Sequence, residues 1–347
     1  MPTSDTPSFQ LGLSAELLDT DGNVRFGDIG LEILDDPAIA YRFFERDHIV
    51  KPEQIAGLDA VIPVHEHYTP ELLLQSPQLL AIICFGVGYD HVDVDGCTAA
   101  DVVLCNQRGA GSNAMAESIV VWMLTLAHRV IDKDQLARQG LWSKAAEFNG
   151  IELRDRTLGI VGLGGVGTRL VEMLQGFRMN PPIGHDPYVT TEQAARLGIR
   201  WVPLDELLRE SDFVAICCPL SDKTHDLIGR DELQLMKPTA ALINTARGGI
   251  VNEAALVEAL TENWIAGAAV DVFEEEPAAA DHPYTGLDNI VLAPHCIGWT
   301  QELFRDIGHM AFHKVISLAA GQVPDDIINP DVLERPGFLD KLTRFQP

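Results

Sequence analysis

Three residues that could carry out proton and anion chemistry each follow a short apolar run in the second half of the chain. Arg247 lies in ALINTARGGIVNE, Glu276 in AAVDVFEEEP and His295 in IVLAPHCIGWT. Histidine can supply a proton near neutral pH, a neighbouring carboxylate stabilises the imidazolium, and a guanidinium binds a carboxylate in one planar contact. Taken singly, each residue could equally be a packed, loop or capping residue. Together they would suit delivery of a hydride to C2 of a small 2-keto acid, with a proton going to the ketone oxygen.

A glycine-rich turn precedes these residues, in TLGIVGLGGVGTRL. Gly162, Gly164 and Gly167 form a GxGxxG pattern between an apolar strand and the start of a helix. The first glycine permits a tight turn, the second lets the backbone approach a pyrophosphate, and the third allows the helix to pack closely on the strand. Asp186 follows 24 residues after Gly162, where a carboxylate can bind ribose hydroxyls and repel the 2′-phosphate of NADP. The pattern therefore favours NAD, although a purely structural turn followed by an Asp-Pro turn would look similar.

Short apolar runs alternate with helical patterns from about residue 157 onwards. Pro181 and Pro182 precede the second run, and we interpret them as its entry loop. The alternation predicts a doubly wound parallel sheet, whose strand ends would bring the glycine turn, Arg247 and His295 to one edge. The predicted strands are 157–162, 183–185, 213–217, 240–244, 266–271 and 290–293, and the predicted helices are 166–176, 205–210 and 252–262.

The first hundred residues show a second, looser α/β pattern. Strands are predicted at 58–63, 79–85 and 102–104, with a helix at 69–74 between the first two. Residues 300–320 form an amphipathic helical pattern, which we expect to pack back on the N-terminal region. This predicts two Rossmann-like lobes with a cleft, the chain crossing between them twice. The substrate domain would contain residues 1–107 and 300–347, and the nucleotide domain residues 108–299.

The segment from Ser112 to Val130 is helical and apolar on nearly every side, which predicts that it is buried. That burial could lie inside the fold or between subunits, and the segment itself does not decide between the two.

The composition excludes several classes of partner. The formal charge is −26, which disfavours nucleic acid and anionic membrane surfaces and requires local positive charge for an anionic substrate. The six cysteines have no CxxC or zinc-like spacing, so we expect reduced, mostly buried thiols, no metal and a cytoplasmic protein. We find no signal peptide in the N-terminal sequence and no transmembrane segment.

The chain resembles the D-isomer-specific 2-hydroxyacid dehydrogenases, a family related to formate, glycerate and phosphoglycerate dehydrogenases. The resemblance runs from about residue 58 to residue 330. It rests on FGVGYDHVDVDGC, NQRGAGSNAMAE, GLWSKAAEFNGIELRDRTLGIVGLGGVG, CCPLSDKTHDLI, INTARGG, DVFEEEP and APH.

The resemblance implies specific roles for the residues of these motifs. Arg247 would bind the substrate carboxylate and carbonyl, His295 would be the acid/base, and Glu276 would be its partner. The backbone at Val87 and Gly88 would bind the substrate carboxylate. The resemblance also implies a nucleotide domain inserted into a discontinuous substrate domain, and a homodimer formed through the helix from Ser112 to Val130. The residues implied in NAD binding are Gly162, Gly164, Gly165, Val166, Gly167, Asp186, Cys218, Thr245, Ala246 and Asp271, with Asp271 at the nicotinamide carboxamide.

Several positions depart from the family pattern. Arg108 replaces a proline, Cys217 replaces a common histidine, and bulky Trp299 follows the proposed acid where small residues are usual. Two other functions stay open: an NAD(H)-sensing, corepressor-like module without turnover, and oxidation of another small oxyanion such as phosphite. Formate oxidation is disfavoured, because it releases no proton to a base and formate dehydrogenases carry glutamine where this chain has Glu276.

Overall fold

The computed structural model describes residues 9–45 and 47–346, so the predicted absence of a signal peptide falls partly outside the described residues. The chain divides into two compact units. The first unit contains the chain up to Gly111 and from Trp299 onwards, and the second runs from Ser112 to Gly298. The sequence analysis places the domain boundaries at 107/108 and 299/300, and this assignment stays a prediction. In the structure, the chain passes from one unit to the other between Gly111 and Ser112, at the start of a long helix, and between Gly298 and Trp299.

The first unit is built on a parallel sheet of five strands in the order β2-β1-β3-β4-β5. Its C-terminal helices belong to this unit, as expected for the amphipathic pattern at 300–320. The strands are β1 (Phe9–Ser14), β2 (Ile39–Phe44), β3 (Ala60–Ile62), β4 (Ala81–Ile83) and β5 (Val103–Cys105), and the N-terminal helices are α1 (Pro52–Ile55), α2 (Pro70–Leu74) and α3 (Val94–Ala99).

The second unit is built on a parallel sheet of seven strands in the order β12-β11-β10-β9-β6-β7-β8. Its helices are α4 (Ser112–His128), α5 (Val130–Arg138), α6 (Gly165–Leu174), α7 (Thr191–Arg196), α8 (Leu204–Glu210), α9 (Arg230–Leu235) and α10 (Glu253–Thr261). Its strands are β6 (Leu158–Val161), β7 (Ile183–His185), β8 (Arg200–Trp201), β9 (Phe213–Ile216), β10 (Ala241–Asn244), β11 (Gly267–Val270) and β12 (Ile290–Leu292). The first unit then continues with α11 (Gln301–Ala319) and α12 (Pro336–Thr343).

The central strands of the second unit, β6, β9, β10 and β11, are buried on both faces because helices cover the sheet on both sides. On β9, Phe213 and Ala215 pack into one core, while Val214 and Ile216 pack into the other. Two-sided burial explains why these strands are continuous apolar runs rather than alternating ones. The chain order reverses between β6 and β9, which makes this the switch point of the sheet. The predicted α/β fold with two doubly wound, Rossmann-like parallel sheets is confirmed.

Two strands of the first unit were missing from the sequence prediction. We assigned no strand before residue 58, yet β1 pairs in parallel with both β2 and β3. Gly12 weakens the strand signal of β1, but a Cβ at this position would lie 2.5 Å from Leu58 Cδ1. A side chain at position 12 would therefore displace the end of Leu58, a packing contact that is not visible in the local pattern.

The predicted continuous helix from Ser112 to Val130 is wrong at its C-terminal end. Helix α4 stops at His128, because Arg129 adopts a left-handed conformation with φ of 53°, and α5 begins at Val130. Among the described residues, no single helix is long and apolar enough to cross a membrane, but α4 and α5, bent by 60° at their junction, pass that length and composition test as a pair.

Candidate active site

The glycine turn of the second unit connects β6 to α6. Gly162 has φ of 98°, and a Cβ there would lie 2.6 Å from the Cys218 nitrogen. A Cβ at Gly167 would lie 2.7 Å from the Gly162 oxygen, whereas one at Gly164 would meet no atom within 4 Å. The turn is therefore tight on its inner side and open at Gly164. Because the first amides of α6, including those of Gly165 and Val166, lack helical acceptors, this open side fits the pyrophosphate of a dinucleotide.

Asp186 lies beside this turn, directly after β7. Its Oδ2 accepts a hydrogen bond from the Leu163 N–H at 2.9 Å, and its Oδ1 accepts one from the Tyr188 N–H at 2.8 Å. Each carboxylate oxygen has a second lone pair that can accept a ribose hydroxyl. Burial raises the pKa of the Cys218 thiol to about 11, and the nearby Asp186 carboxylate also raises it. Cys218 is therefore a neutral thiol near Asp186 at neutral pH.

The Arg247 turn follows β10 and is held by a buried amide. The Asn244 side chain accepts a hydrogen bond from the Ala246 N–H at 3.1 Å and donates one to the Arg247 carbonyl at 2.9 Å. Arg247 itself is half-buried, and its Nη1 donates to the Ala246 carbonyl at 2.7 Å. Thr245, which lies between Asn244 and Ala246 in this turn, is buried. This turn restricts the guanidinium to one region at the strand end.

Glu276 and His295 form a direct pair. Glu276 Oε2 lies 2.7 Å from His295 Nδ1, while its Oε1 accepts the Phe273 N–H at 2.9 Å. Burial acts to raise the pKa of Glu276, but the hydrogen bonds from His295 and Phe273 outweigh it. The nearby Arg247 guanidinium acts in the same direction, so the pKa falls below its usual value. Glu276 is thus a carboxylate at neutral pH, and it orients the imidazole with Nε2 as the remaining ring nitrogen.

Asp271 holds the backbone that carries His295. His295 has φ of 52°, a conformation that a non-glycine residue adopts only when its surroundings enforce it. The His295 N–H donates to the Asp271 carbonyl at 2.7 Å. The next two amides, of Cys296 and Ile297, donate to Asp271 Oδ1 at 2.9 and 3.1 Å. Burial raises the pKa of Asp271, and these two hydrogen bonds only partly oppose it.

These groups lie at the carboxyl ends of three adjacent strands, β10, β11 and β12. A Cβ at Gly248 would overlap the Phe273 carbonyl, so the turn that carries Arg247 packs directly against the loop that carries Glu276. The structure therefore brings Arg247, Glu276 and His295 together within the second unit, at the same strand-end edge as the glycine turn.

Val87 and Gly88 belong to the first unit, in the loop after β4. The carbonyls of this loop are bound by two buried amides: Asn106 Nδ2 donates to the Val87 carbonyl at 2.7 Å, and Gln107 Nε2 donates to the Cys84 carbonyl at 2.9 Å. The Gln107 N–H also donates to the Gly86 carbonyl. Within residues 9–45 and 47–346, no hydrogen bond is donated by the Val87 or Gly88 N–H. Two adjacent backbone N–H groups that donate no other hydrogen bond can together bind an anion.

Three positioning residues were not singled out in the sequence: Asn106, Gln107 and Asn244. Each is a polar residue at the carboxyl end of a buried strand or immediately after it, which is the available signal. His65, in contrast, is an exposed residue whose Nδ1 lies 2.8 Å from Glu16 Oε2, and the histidines of the described chain form no metal-binding group with Cys, Asp or Glu.

Comparison with known proteins gives a consistent result. Residues 120–296 match the NAD binding domain of the D-isomer specific 2-hydroxyacid dehydrogenases. A glyoxylate reductase of Aeropyrum pernix is 41% identical over 276 residues, which cover 77% of this chain and 82% of that protein. The D-lactate dehydrogenase of Aquifex aeolicus, solved with NAD and lactic acid, has a TM-score of 0.80 and 25% identity, covering 92% of this chain and 99% of that one.

A third relative is the NAD-dependent formate dehydrogenase of Staphylococcus aureus, solved with NAD. It is 27% identical with a TM-score of 0.79, again over 92% of this chain and 99% of that one. The match to the NAD binding domain of the family covers half of the chain. The similarity to the glyoxylate reductase extends over most of both proteins. The chain therefore belongs to the D-isomer specific 2-hydroxyacid dehydrogenase family and is an NAD-dependent enzyme of that family.

Proposed function

We propose that this enzyme reduces a small 2-keto acid to the D-2-hydroxy acid, with Arg247, His295 and Glu276 as the catalytic residues. The observation that carries the proposal is the 2.7 Å pair of His295 and Glu276 beside the Arg247 turn, at the strand ends of a dinucleotide-binding sheet. A proton donor, its carboxylate partner and a guanidinium are the groups that this reduction requires.

The cofactor and the protein contribute different groups to the proposed reaction. The hydride that C2 receives would come from NADH bound at the glycine turn. His295 Nε2 gives a proton to the ketone oxygen, so that one hydride and one proton convert the carbonyl into a hydroxyl group. Glu276 stabilises the imidazolium before transfer and holds the ring in the tautomer that leaves Nε2 for the substrate. In the reverse direction the same nitrogen accepts the hydroxyl proton.

Substrate binding requires local positive charge, because the net charge of the protein is strongly negative. Arg247 binds the substrate carboxylate and polarises the carbonyl, and the Val87 and Gly88 amides bind the same carboxylate. A formal charge of −26 repels anions at long range, so affinity must come from these local donors. The names of the relatives favour glyoxylate and related small 2-keto acids as the substrates to test first.

We assign the binding of the cofactor to the residues of the motifs. Gly162, Gly164, Gly165, Val166 and Gly167 bind the pyrophosphate, and Asp186 binds the adenosine ribose and rejects NADP. The groove is further lined by Cys218, Thr245 and Ala246, while Asp271 meets the nicotinamide carboxamide. In this assignment residues 108–299 form the nucleotide domain, and residues 1–107 and 300–347 form the substrate domain.

A homodimer in the cytoplasm is part of the same proposal. Helices α4 and α5 expose the apolar side chains of Val121, Val130 and Ile131, and Trp142 after them is 76% exposed. A second copy of the chain covering these residues would remove an apolar surface from water. All six cysteines, which lie within the described residues, are unpaired, and this fits a reducing compartment.

The test is a panel of glyoxylate, hydroxypyruvate and pyruvate, assayed with NADH and NADPH side by side. We expect turnover with at least one keto acid, a preference for NADH, and a D-configured product wherever hydroxypyruvate or pyruvate is reduced. NADH binding without turnover on any member would contradict the proposal and favour a cofactor-sensing protein. A preference for NADPH would contradict the role of Asp186 alone.

A further inference from the structure

The peptide group between Phe273 and Glu274, in the second unit, lies beside two of the proposed catalytic residues. Its carbonyl faces the turn that carries Arg247, because a Cβ at Gly248 would overlap the Phe273 carbonyl. The Phe273 N–H, at the other end of the same residue, donates to Glu276 Oε1 at 2.9 Å. A shift of this peptide therefore moves the donor that holds the Glu276 carboxylate.

The N–H of the same peptide points away from its carbonyl and is bound by Glu253, the first residue of α10. Glu253 Oε1 accepts the Glu274 N–H at 2.9 Å. The Glu253 side chain is only 19% exposed, and a carboxylate so far removed from water needs hydrogen-bond donors to offset its lost hydration. This hydrogen bond joins α10 to the loop that carries Glu276.

His282 binds the other oxygen of the Glu253 carboxylate. Its Nε2 lies 3.0 Å from Glu253 Oε2, and its Nδ1 accepts the Tyr284 N–H at 3.3 Å. Because Nδ1 is an acceptor, the proton of the neutral ring lies on Nε2 and is donated to Glu253. The imidazole also packs edge to face on the Phe273 ring, with centroids 5.3 Å apart. Rotation of the Glu253 carboxylate would break one of its two hydrogen bonds, so its orientation is fixed.

From this geometry we propose that Glu253 is a positioning residue, which fixes the Glu276 carboxylate for its pair with His295. His282 orients Glu253 in this role. The inference rests on the proposed function, because it adds a residue to the same site. Since both oxygens of Glu253 are hydrogen-bonded by groups of the protein, Glu253 acts through Glu276 and not on the substrate.

The experiment compares two substitutions that separate the length of the Glu253 side chain from its charge. Glu253→Asp keeps the charge at the start of α10, but it is one methylene shorter and draws the carboxylate away from the Glu274 N–H. We expect kcat for the preferred keto acid to fall by about tenfold with unchanged KM, because small displacements of positioning groups are costly. Glu253→Gln keeps the length and an acceptor oxygen, so its kcat should fall by about threefold or less.

A double-substitution cycle tests whether Glu253 acts through Glu276. In Glu276→Gln the charged partner of the imidazole is already absent, so adding Glu253→Asp should lower kcat by less than about threefold. His282→Phe keeps a ring against Phe273 but removes the donor to Glu253. It should lower kcat in the natural protein and leave kcat unchanged in Glu276→Gln.

Glu258→Asp is the matched control, because Glu258 lies in the same helix and forms an exposed ion pair with Arg230. Its kcat and KM should equal those of the natural protein. NADH affinity and thermal unfolding are measured for every variant, so that loss of fold is recognised. If Glu253→Asp does not fold, His282→Phe takes its place in the cycle.

Three results would overturn the inference. The first is an unchanged kcat in Glu253→Asp. The second is an equal fall of kcat when the substitution is made in the natural protein and in Glu276→Gln. The third is a larger fall in Glu253→Gln than in Glu253→Asp, which would make the charge of Glu253 the important property instead of its hydrogen bond to the loop.

Two other results concern the proposed function. If no keto acid is turned over, or if Glu276→Gln has the kcat of the natural protein, the proposed function is overturned and this inference with it. If Glu276→Gln lowers kcat and Glu253→Asp does not, only the inference is overturned.

Discussion

The two units build their parts of the proposed site in different ways. In the second unit, Arg247, Glu276 and His295 are charged or titratable side chains on three adjacent strand ends, and each is held by hydrogen bonds to nearby residues. In the first unit, the proposed contribution is a pair of backbone amides in a loop held by buried side-chain amides. One unit thus supplies the reacting side chains, and the other supplies backbone groups that position the substrate.

The two units also differ in which residues hold their parts of the proposed site. The groups of the second unit depend on residues of their own loops, such as Asn244 and Asp271. The sheet of the first unit is joined to the C-terminal segment instead: Asn329 accepts the Leu104 N–H and donates to the Val102 carbonyl, more than 220 residues away in the chain. Changes in the second unit should therefore affect chemistry, and changes in the first should affect substrate affinity and stability.

The largest effect is expected from Arg247→Ala. Loss of the guanidinium removes both the carboxylate contact and the polarisation of the carbonyl, so kcat/KM for the preferred keto acid should fall about 10³-fold. Arg209→Ala is the control, because Arg209 in the same unit makes only an exposed ion pair with Asp205. Steady-state kinetics on both variants check this. Equal kcat/KM values in the two variants would remove Arg247 from the mechanism.

A smaller effect on the same chemistry is expected from Glu276→Gln. The amide keeps the shape but removes the charge that stabilises the imidazolium, so kcat should fall by about 10²-fold. In the natural protein, protonation of Glu276 at acid pH should also lower kcat, and this decline should be absent from Glu276→Gln. Since the pKa of Glu276 lies below its usual value, the natural carboxylate is ionised across the neutral range. Glu275→Gln is the neighbouring control, and pH–rate profiles that coincide for the two variants would contradict the pairing.

In the first unit, Asn106→Leu should raise KM rather than lower kcat. The substitution removes the 2.7 Å hydrogen bond to the Val87 carbonyl and lets the two proposed carboxylate-binding amides shift. We expect a KM about tenfold higher, since small displacements of positioning groups are costly. NADH affinity should stay unchanged. A fall in kcat with unaltered KM would show that Asn106 acts on the chemical step. It would contradict the proposed difference between the two units.

The smallest effect is on stability alone. Lys341 in α12 donates to the carbonyls of Leu79, Ala100 and Asp101, and burial lowers its pKa to about 8. Between about pH 8 and 10.5 the unfolded chain therefore binds more protons than the folded one, so this residue makes the free energy of unfolding rise with pH. Lys341→Met should lack that rise in urea titrations at pH 7.5 and 9.5, with kcat/KM unchanged. Lys51→Met, at an exposed lysine, should retain it.

The two units also differ in how much of each could be predicted from the sequence. The position of the Gly162 turn, Arg247 and His295 at one edge of the sheet could be predicted, because each lies within three residues of the end of an apolar strand and parallel strand ends share one edge. Strand β1 could not, since Gly12 is explained only by its contact with Leu58. The role of Asn106 depends on a carbonyl 19 residues earlier, which no local pattern marks. The helix break at Arg129 was missed because it is a single left-handed residue within an apolar run.

The central claim is that His295 is the proton donor to the substrate. Its most direct test is the rate of NADH oxidation in a single turnover by His295→Gln, with the preferred keto acid at saturation. The account predicts a rate at least about 10³-fold below that of the natural protein, with NADH affinity retained. A rate within tenfold of the natural protein, over the same pH range, would contradict it.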